Sequence, residues 1–319
     1  MARASRMECV TQLEASRLHG IPTFRILGTV AGYVLGGVLV LAAYAKAIHP
    51  HGFAAQLRDF PVFAAIAYPG ALFIIAFESA LGVALLSGSR HPYVLVVTNA
   101  TFLLFVGMVA SELVRPDGTS TCGCFGHLLE RTPRQAFFED VGFAALSGLA
   151  WLGRTARSDV LRWWPSAVGV AGSVALAVCA PWLPLDDQAT ALAPGVTVAA
   201  TQLDRVLPEL RTGRHLVLLL DRADAATRER IAHLNDRLKL PHGATTVWGV
   251  ADDDPELAAE FLWSAGPAFD VRGAPPRMLR RLYRTLPRSA LIDGGRVVQT
   301  WSGFPPNVTL DALARGELP

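Results

Sequence analysis

Long apolar runs in the first half of the chain constrain its fold more than any other feature. They cover residues 26–46 (ILGTVAGYVLGGVLVLAAYAK), lie within 61–88 (PVFAAIAYPGALFIIAFESALGVALLSG), and cover 93–114 (YVLVVTNATFLLFVGMVASELV). A helix needs roughly 20 apolar residues to cross a bilayer, within a range of about 17 to 25. These three are long enough. Two further runs, 136–153 and 166–183, are marginal, and the first of them opens with Glu139 and Asp140. Each reads as a span, with a buried or interfacial helix as the alternative. The first run is too long for a signal-peptide core and no small-residue cleavage site follows it, so it reads as a retained anchor.

Composition agrees. The 319 residues are 51% hydrophobic and 18% charged, against about a quarter charged in soluble domains. A net charge of +2, with no basic stripe interleaved with aromatics, argues against nucleic acid as a partner. The bilayer is the partner that the runs require.

Arginine placement sets the expected orientation. The N-terminal tail carries Arg3, Arg6, Arg17 and Arg25, and the loop after the fourth run carries Arg154, Arg157 and Arg162. Four spans between them put both on one side, taken as cytoplasmic. The fifth span then delivers the C-terminal part outside. Arg115, Arg131 and Arg134 in the loop before the fourth run weaken the bias. The expected organisation is a tail (1–25), a four-helix membrane bundle (26–155), a fifth transmembrane helix (166–183), a polar linker (184–197) and an extracytoplasmic α/β domain (198–319).

In that last part, RHLVLLLD reads as a buried strand and ATTVWGV as a second one. The segment between them is amphipathic, with Ile231, Leu234 and Leu238 on one face. Asp254 and Pro255 mark a helix start. RSALID and RVVQTWS flank Gly294-Gly295, a hairpin signal.

Cys122 and Cys124, separated by Gly123 in TSTCGCFGH, are the candidate chemistry. On the oxidising face a disulfide would persist. Glycine permits the backbone angles that so small a ring needs, and a strained, exposed bridge is prone to exchange. Three chemistries stay open: thiol–disulfide exchange, a static bridge, and soft-metal binding with His127 and with His49 and His51 of the other external loop. Cys179, inside the fifth run, reads as a small buried hydrophobe, and Cys9 as a reduced thiol.

Glu78 falls inside the second run, where a carboxyl is costly enough to suggest function. Lys46 ends the first run and can snorkel to the surface. Counting about ten residues from Tyr68 places Glu78 roughly 15 Å deeper than Lys46, which argues against a direct pair. Asn99 and Glu112 in the third run are further polar candidates.

AYAKAIHPHGFAAQLRDF (43–60), FESALGVALLSG (77–88) and CGCFGH (122–127), in this order, resemble the MauE family (methylamine-utilisation protein E) of the wider DoxX-like four-helix membrane group. Glu139-Asp140 stands where that family often has Arg-Asn. The resemblance covers about residues 25–155. It implies a role in maturing an exported, disulfide-rich protein, with Cys122 and Cys124 as the exchanging pair and Glu78 and Lys46 shaping a polar path or cofactor pocket. By analogy to other membrane oxidants, a quinone would accept the electrons. An exported client or a thioredoxin-like protein would be the partner. The alternatives are a non-catalytic assembly factor and a copper- or zinc-handling protein.

Residues from about 195 to 319 look like a thioredoxin fold, with Pro287 at the cis-proline position. The expected Cys-x-x-Cys slot falls at AATR, 225–228, and residues 180–319 contain no cysteine.

Overall fold

The computed structural model describes residues 22–58, 63–114, 133–152, 154, 163–238 and 245–317. The chain divides into two units, Met1–Trp182 and Leu183–Pro319.

The first unit is helical: α1 (Pro22–Ala47), α2 (Pro50–Arg58), α3 (Ala67–Leu86), α4 (Pro92–Val114), α5 (Pro133–Leu152) and α6 (Trp163–Cys179). Proline opens α1, α2, α4 and α5. Its fixed φ suits the first turn, and its missing N–H would have had no helical partner there. α1 packs against α3 and α5, α3 against α6, and α4 against α5. Among the described residues, four segments are long and apolar enough to cross a membrane: Arg25–Ala47, Ala64–Leu86, Pro92–Ala110 and Trp163–Trp182. α5 has the length but not the composition, because Arg134, Glu139 and Asp140 fall in its first half. Phe73, Leu104, Phe138 and Val168 are exposed, as side chains facing lipid should be.

α1 and α3 approach closely at Gly36 and Gly82. A Cβ on Gly36 would lie 2.9 Å from the Gly82 carbonyl oxygen, and one on Gly82 would lie 2.9 Å from that of Gly36. Small residues let membrane helices make backbone contact, which replaces the hydrophobic drive that lipid cannot supply. At the Leu86 end, the Arg90 Nη2 donates to the Thr29 carbonyl at 3.1 Å and the guanidinium lies over the Tyr33 ring at 5.7 Å. Burial holds the Arg90 pKa below its ordinary value, partly offset by Tyr33.

The second unit is built on a five-stranded sheet in the order β3-β2-β1-β4-β5, with β1 (Arg214–Leu219), β2 (Thr246–Asp252), β3 (Asp270–Ala274), β4 (Arg288–Asp293) and β5 (Arg296–Trp301). β1, β2 and β3 are parallel, and β4 and β5 are antiparallel to their neighbours. The side chains of β1 alternate between two cores: Leu216 and Leu218 pack with α7 (Ala225–Leu238), α8 (Pro255–Ala265) and α9 (Asn307–Ala314), while Val217 and Leu219 pack with Leu192, Leu203, Leu207 and Leu210. A strand covered on both faces must be apolar throughout, which explains the LVLLL run. Gly294 and Gly295 turn the β4–β5 hairpin at φ +55 and +77, as a type I′ turn requires. The Leu286–Pro287 peptide bond is cis. The β-α-β unit followed by a hairpin entered through a cis-proline is a thioredoxin-like arrangement.

Two expectations change here. β3 was not foreseen: DVRGA carries an arginine and two glycine or alanine positions, with no apolar alternation to betray an edge strand. The stretch 184–197, expected as a linker, is an ordered part of the second unit. The Gly195 N–H donates to the Val297 carbonyl, and the Val198 N–H to that of Gly295. Ala191 and Leu192 are buried, so the polar composition of this stretch hid two core residues.

Candidate functional site

Lys46 and Glu78 form an ion pair inside the bundle. The Lys46 Nζ donates to both carboxylate oxygens, at 2.9 and 2.8 Å, and the two residues are 4% and 0% exposed. The ammonium also lies 5.5 Å from the centroid of the Phe53 ring and 5.9 Å from that of Phe105. Carboxylate and aromatic faces together replace the water that a surface ammonium would have.

The depth argument against this pair fails for two reasons. First, contact of Gly36 with Gly82 in antiparallel helices sets Lys46 level with Leu72. Glu78 is then about 9 Å along the axis at roughly 1.5 Å per residue, not 15. Second, helical side chains lean toward their own N-terminus. In antiparallel helices the Lys46 and Glu78 side chains therefore lean toward each other and span the remainder.

The pair lies at a definite end of the bundle. The Asn99 Nδ2 donates to the Ala144 carbonyl at 3.1 Å and the Ser147 hydroxyl to that of Leu95 at 3.5 Å, so α4 and α5 are antiparallel. Phe105, beside Lys46, precedes Val114 by nine residues, about 13 Å. Both stems of segment 115–132, Val114 and Pro133, thus leave from the end of the bundle that holds Lys46. Cys122, Cys124 and His127 lie in that segment, outside the described residues. The same register places Asp140, 3% exposed, level with Phe102, which makes it a third buried ionisable residue in this half of the bundle. The sequence had marked Asp140 as a span-weakening charge; its burial appears only once α5 is packed.

The remaining candidates are spread out. The His51 ring stacks on Tyr68 at 4.8 Å, and the His49 ring lies against Gly52. Among the described residues no group of three His, Cys, Asp or Glu is placed to hold a metal ion. Cys179 is exposed on α6, contrary to the buried position expected, because α6 turns most of its surface away from the other helices. Cys9 is outside the described residues.

In the second unit, the expected Cys-x-x-Cys slot coincides with the first turn of α7. Asp224 precedes it. Its carboxylate accepts from the Thr227 N–H at 2.9 Å, the Thr227 hydroxyl at 2.7 Å and the Ala226 N–H at 3.3 Å. The Thr227 hydroxyl, and then its N–H, hold the Asp224 pKa below the usual carboxylate range. The positive helix end that would stabilise a thiolate here stabilises a carboxylate.

Sequence reasoning did not foresee a buried cation of this unit. Arg288, 1% exposed, follows the cis-proline. Its Nη2 donates to Asp187 at 2.9 Å and to the Leu192 carbonyl at 2.7 Å, and its Nη1 lies 3.5 Å from Asp186. Thr300 and Ser302 donate to the same two carboxylates at 2.6 and 2.7 Å. Burial lowers the Arg288 pKa, and Asp186 and Asp187 oppose that. The signal was available as Asp-Asp in the stretch taken for a linker.

Residues 24–153 match the family model described as Methylamine utilisation protein MauE. No curated protein matches the chain. Among solved structures the chain is similar to "Solution structure of a putative protein disulfide isomerase from Bacteroides thetaiotaomicron", at 19% identity and TM-score 0.29, covering 34% of this chain and 74% of that one. Of the four candidate spans among the described residues, three fall within residues 24–153, the part of this membrane protein that matches the MauE family model.

Proposed function

We propose that the chain exchanges thiols and disulfides during maturation of an exported protein, through Cys122 and Cys124, in a process of the methylamine-utilisation type. The observation that carries this reading is the enclosed Lys46–Glu78 pair at the end of the MauE-family bundle from which the cysteine segment leaves. Two opposite charges buried among membrane helices are costly, and such residues mark functional sites by default. The proposed orientation has the N-terminus in the cytoplasm and the cysteine segment and the second unit outside.

The exchange balances as follows. A client thiolate attacks one sulfur of the Cys122–Cys124 disulfide, and the other leaves as a thiolate. A second client thiolate then attacks the mixed disulfide. The client loses two electrons and two protons and gains an S–S bond; the pair takes up both. Resetting the pair needs a two-electron acceptor, for which a lipid-soluble quinone is the proposed class. Lys46 and Glu78 satisfy and enclose each other, so no step with that acceptor is assigned to them. Their assigned role is to hold α1 and α3 in register beneath the segment.

The test is the reduction potential of the Cys122–Cys124 pair in the full chain, by equilibration in glutathione buffers, alkylation and mass spectrometry, with Cys122→Ala as control. A potential above roughly −250 mV supports exchange, and a bridge closed below roughly −300 mV makes it a structural staple. In the second case a non-catalytic assembly factor becomes the reading. One observation favours it already: the thioredoxin-like unit has Ala225-Ala226-Thr227-Arg228 where the thiols would act, and exposes Leu262 and Trp263 (92%) on α8.

A further inference from the structure

Arg90 lies in the short turn between α3 and α4, at the opposite end of the bundle from Lys46. It is 5% exposed. Its side chain lies against α1, where a Cβ on Gly32 would come within 2.9 Å of the Nε. That Nε is buried without a hydrogen-bond partner, as is the hydroxyl of the adjacent Ser89. A guanidinium has five N–H donors. Among the described residues, the acceptor that meets them is the Thr29 carbonyl, and no carboxylate pairs with Arg90. The sequence supplies none nearby: residues 22–58, 79–111, 141–158 and 160–185 contain no Asp or Glu. Glu78, the nearest acid along the chain, is engaged by Lys46. Lys46 and Arg288 leave water in the company of carboxylates, and Arg90 leaves it without one. A charge so placed is costly until a counter-charge reaches it.

Aromatic side chains mark this end of the bundle as the one that meets a bilayer surface. Tyr33, which lies under the guanidinium, and Tyr93, at the start of α4, are exposed. So are Trp163 and Trp164 at the start of α6. The Ser166 hydroxyl donates to the Ala80 carbonyl at 3.1 Å, which sets that start beside the last turns of α3. Exposed tyrosines and tryptophans collect at the headgroup level of a membrane. A second cation stands close by. Arg25, exposed, is one turn before Thr29 on α1, and the Thr29 hydroxyl donates to the Arg25 carbonyl at 2.7 Å. Two guanidiniums and no carboxylate thus flank Thr29 at the depth where lipid phosphates lie.

We propose that Arg90, with Arg25 beside it, holds the phosphate of an anionic phospholipid. A guanidinium fork matches phosphate oxygens, and basic residues close to a membrane surface are drawn to acidic lipids. The phosphate supplies the counter-charge that the chain lacks, while the Arg90 Nη2 keeps the Thr29 carbonyl. A lipid held there ties the start of α1 to the α3–α4 turn. This site is separate from the proposed thiol exchange, because the cysteine segment leaves from the other end of the bundle.

The full chain in a neutral detergent would be titrated with phosphatidylglycerol or with phosphatidylcholine, and bound lipids counted by native mass spectrometry. The first phosphatidylglycerol should bind several-fold more tightly than the first phosphatidylcholine. That preference should be lost in Arg90→Gln and partly kept in Arg90→Lys, which retains the charge without the fork. Equal affinity of the wild type for the two lipids overturns the proposal without recourse to any variant. So does an undiminished preference in Arg90→Gln, which would place the lipid elsewhere. Hydrogen exchange of the wild type locates the lipid: residues 24–33 and 87–91 should exchange several-fold more slowly with phosphatidylglycerol than with phosphatidylcholine. No difference there overturns the proposal even if Arg90→Gln fails to fold. Inorganic phosphate should produce no such slowing; an equal effect would make this a site for the free ion and overturn its assignment to a lipid.

Discussion

Lys46 and Arg288 are both cations taken almost wholly out of water, and they are held in opposite ways. The partner of Lys46 is 0% exposed, and the surroundings are helices and, beyond them, lipid. The carboxylates facing Arg288 have side chains that are 19% and 52% exposed, so water reaches the anionic half of that network. A closed pair in a membrane has no solvent to fall back on when one member is lost. A half-open network does, and it tolerates the loss better. The contrast says why the bundle invests in one complete pair and the soluble unit spreads its charge over Asp186, Asp187, Thr300, Ser302 and a carbonyl.

The largest effect should follow from breaking the closed pair. Glu78→Gln leaves the Lys46 charge uncompensated and should cost about 3–5 kcal/mol, read as a fall in the Tm of the full chain in detergent. The double variant Lys46→Met, Glu78→Leu removes both charges and should recover most of that loss. If its stability returns while the Cys122–Cys124 exchange rate stays depressed, the pair serves the chemistry. If both return together, the pair serves packing alone.

Arg288→Met is the matching break in the soluble unit. It removes the donor to Asp187 and to the Leu192 carbonyl, while Asp186 and Asp187 keep water, Thr300 and Ser302. The expected cost is about 2 kcal/mol, measurable by urea unfolding. Ordered residues 183–192 should also exchange hydrogen faster, because Arg288 fastens them to β4. A cost equal to that of Glu78→Gln would break the comparison, since it would show that solvent access to the carboxylates makes no difference.

How much of this could be read beforehand follows from which interactions are local. The first three apolar runs, the Asp254–Pro255 helix start and the Gly294-Gly295 hairpin depend on neighbouring residues, and they stand as read. The pairing of Lys46 with Glu78 depends on the register between two helices, which Gly36 and Gly82 set through a contact 46 positions apart in the chain. Without that register, a count along one helix placed the two charges too far apart. The burial of Ala191 and Leu192 depends on a sheet that forms later in the chain, so their segment read as a linker. β3 has no periodic signal of its own and is recruited by the free edge of β2.

The smallest effect belongs to Asp224, at the helix end where a thioredoxin-type thiol would sit. This carboxylate is solvent-exposed, and its pKa is depressed first by the Thr227 hydroxyl and then by the Thr227 N–H. The sign follows from linkage. An acid whose folded pKa lies below its unfolded value contributes stability that is fully present above the unfolded value. That contribution is lost as pH falls through the folded value. Asp224→Ala should therefore lower the Tm slightly at neutral pH, and the gap from wild type should narrow below about pH 4 and close at lower pH. Lys46 and Glu78 owe nothing to this exposed titration, so the gap belongs to the unfolding of the second unit. A gap that persisted unchanged into acid would mean that Asp224 works by its shape in the Thr227 turn and not by its charge. The helix end would then have no special claim on an anion, and the parallel with a thiolate at 225–228 would lose its electrostatic basis.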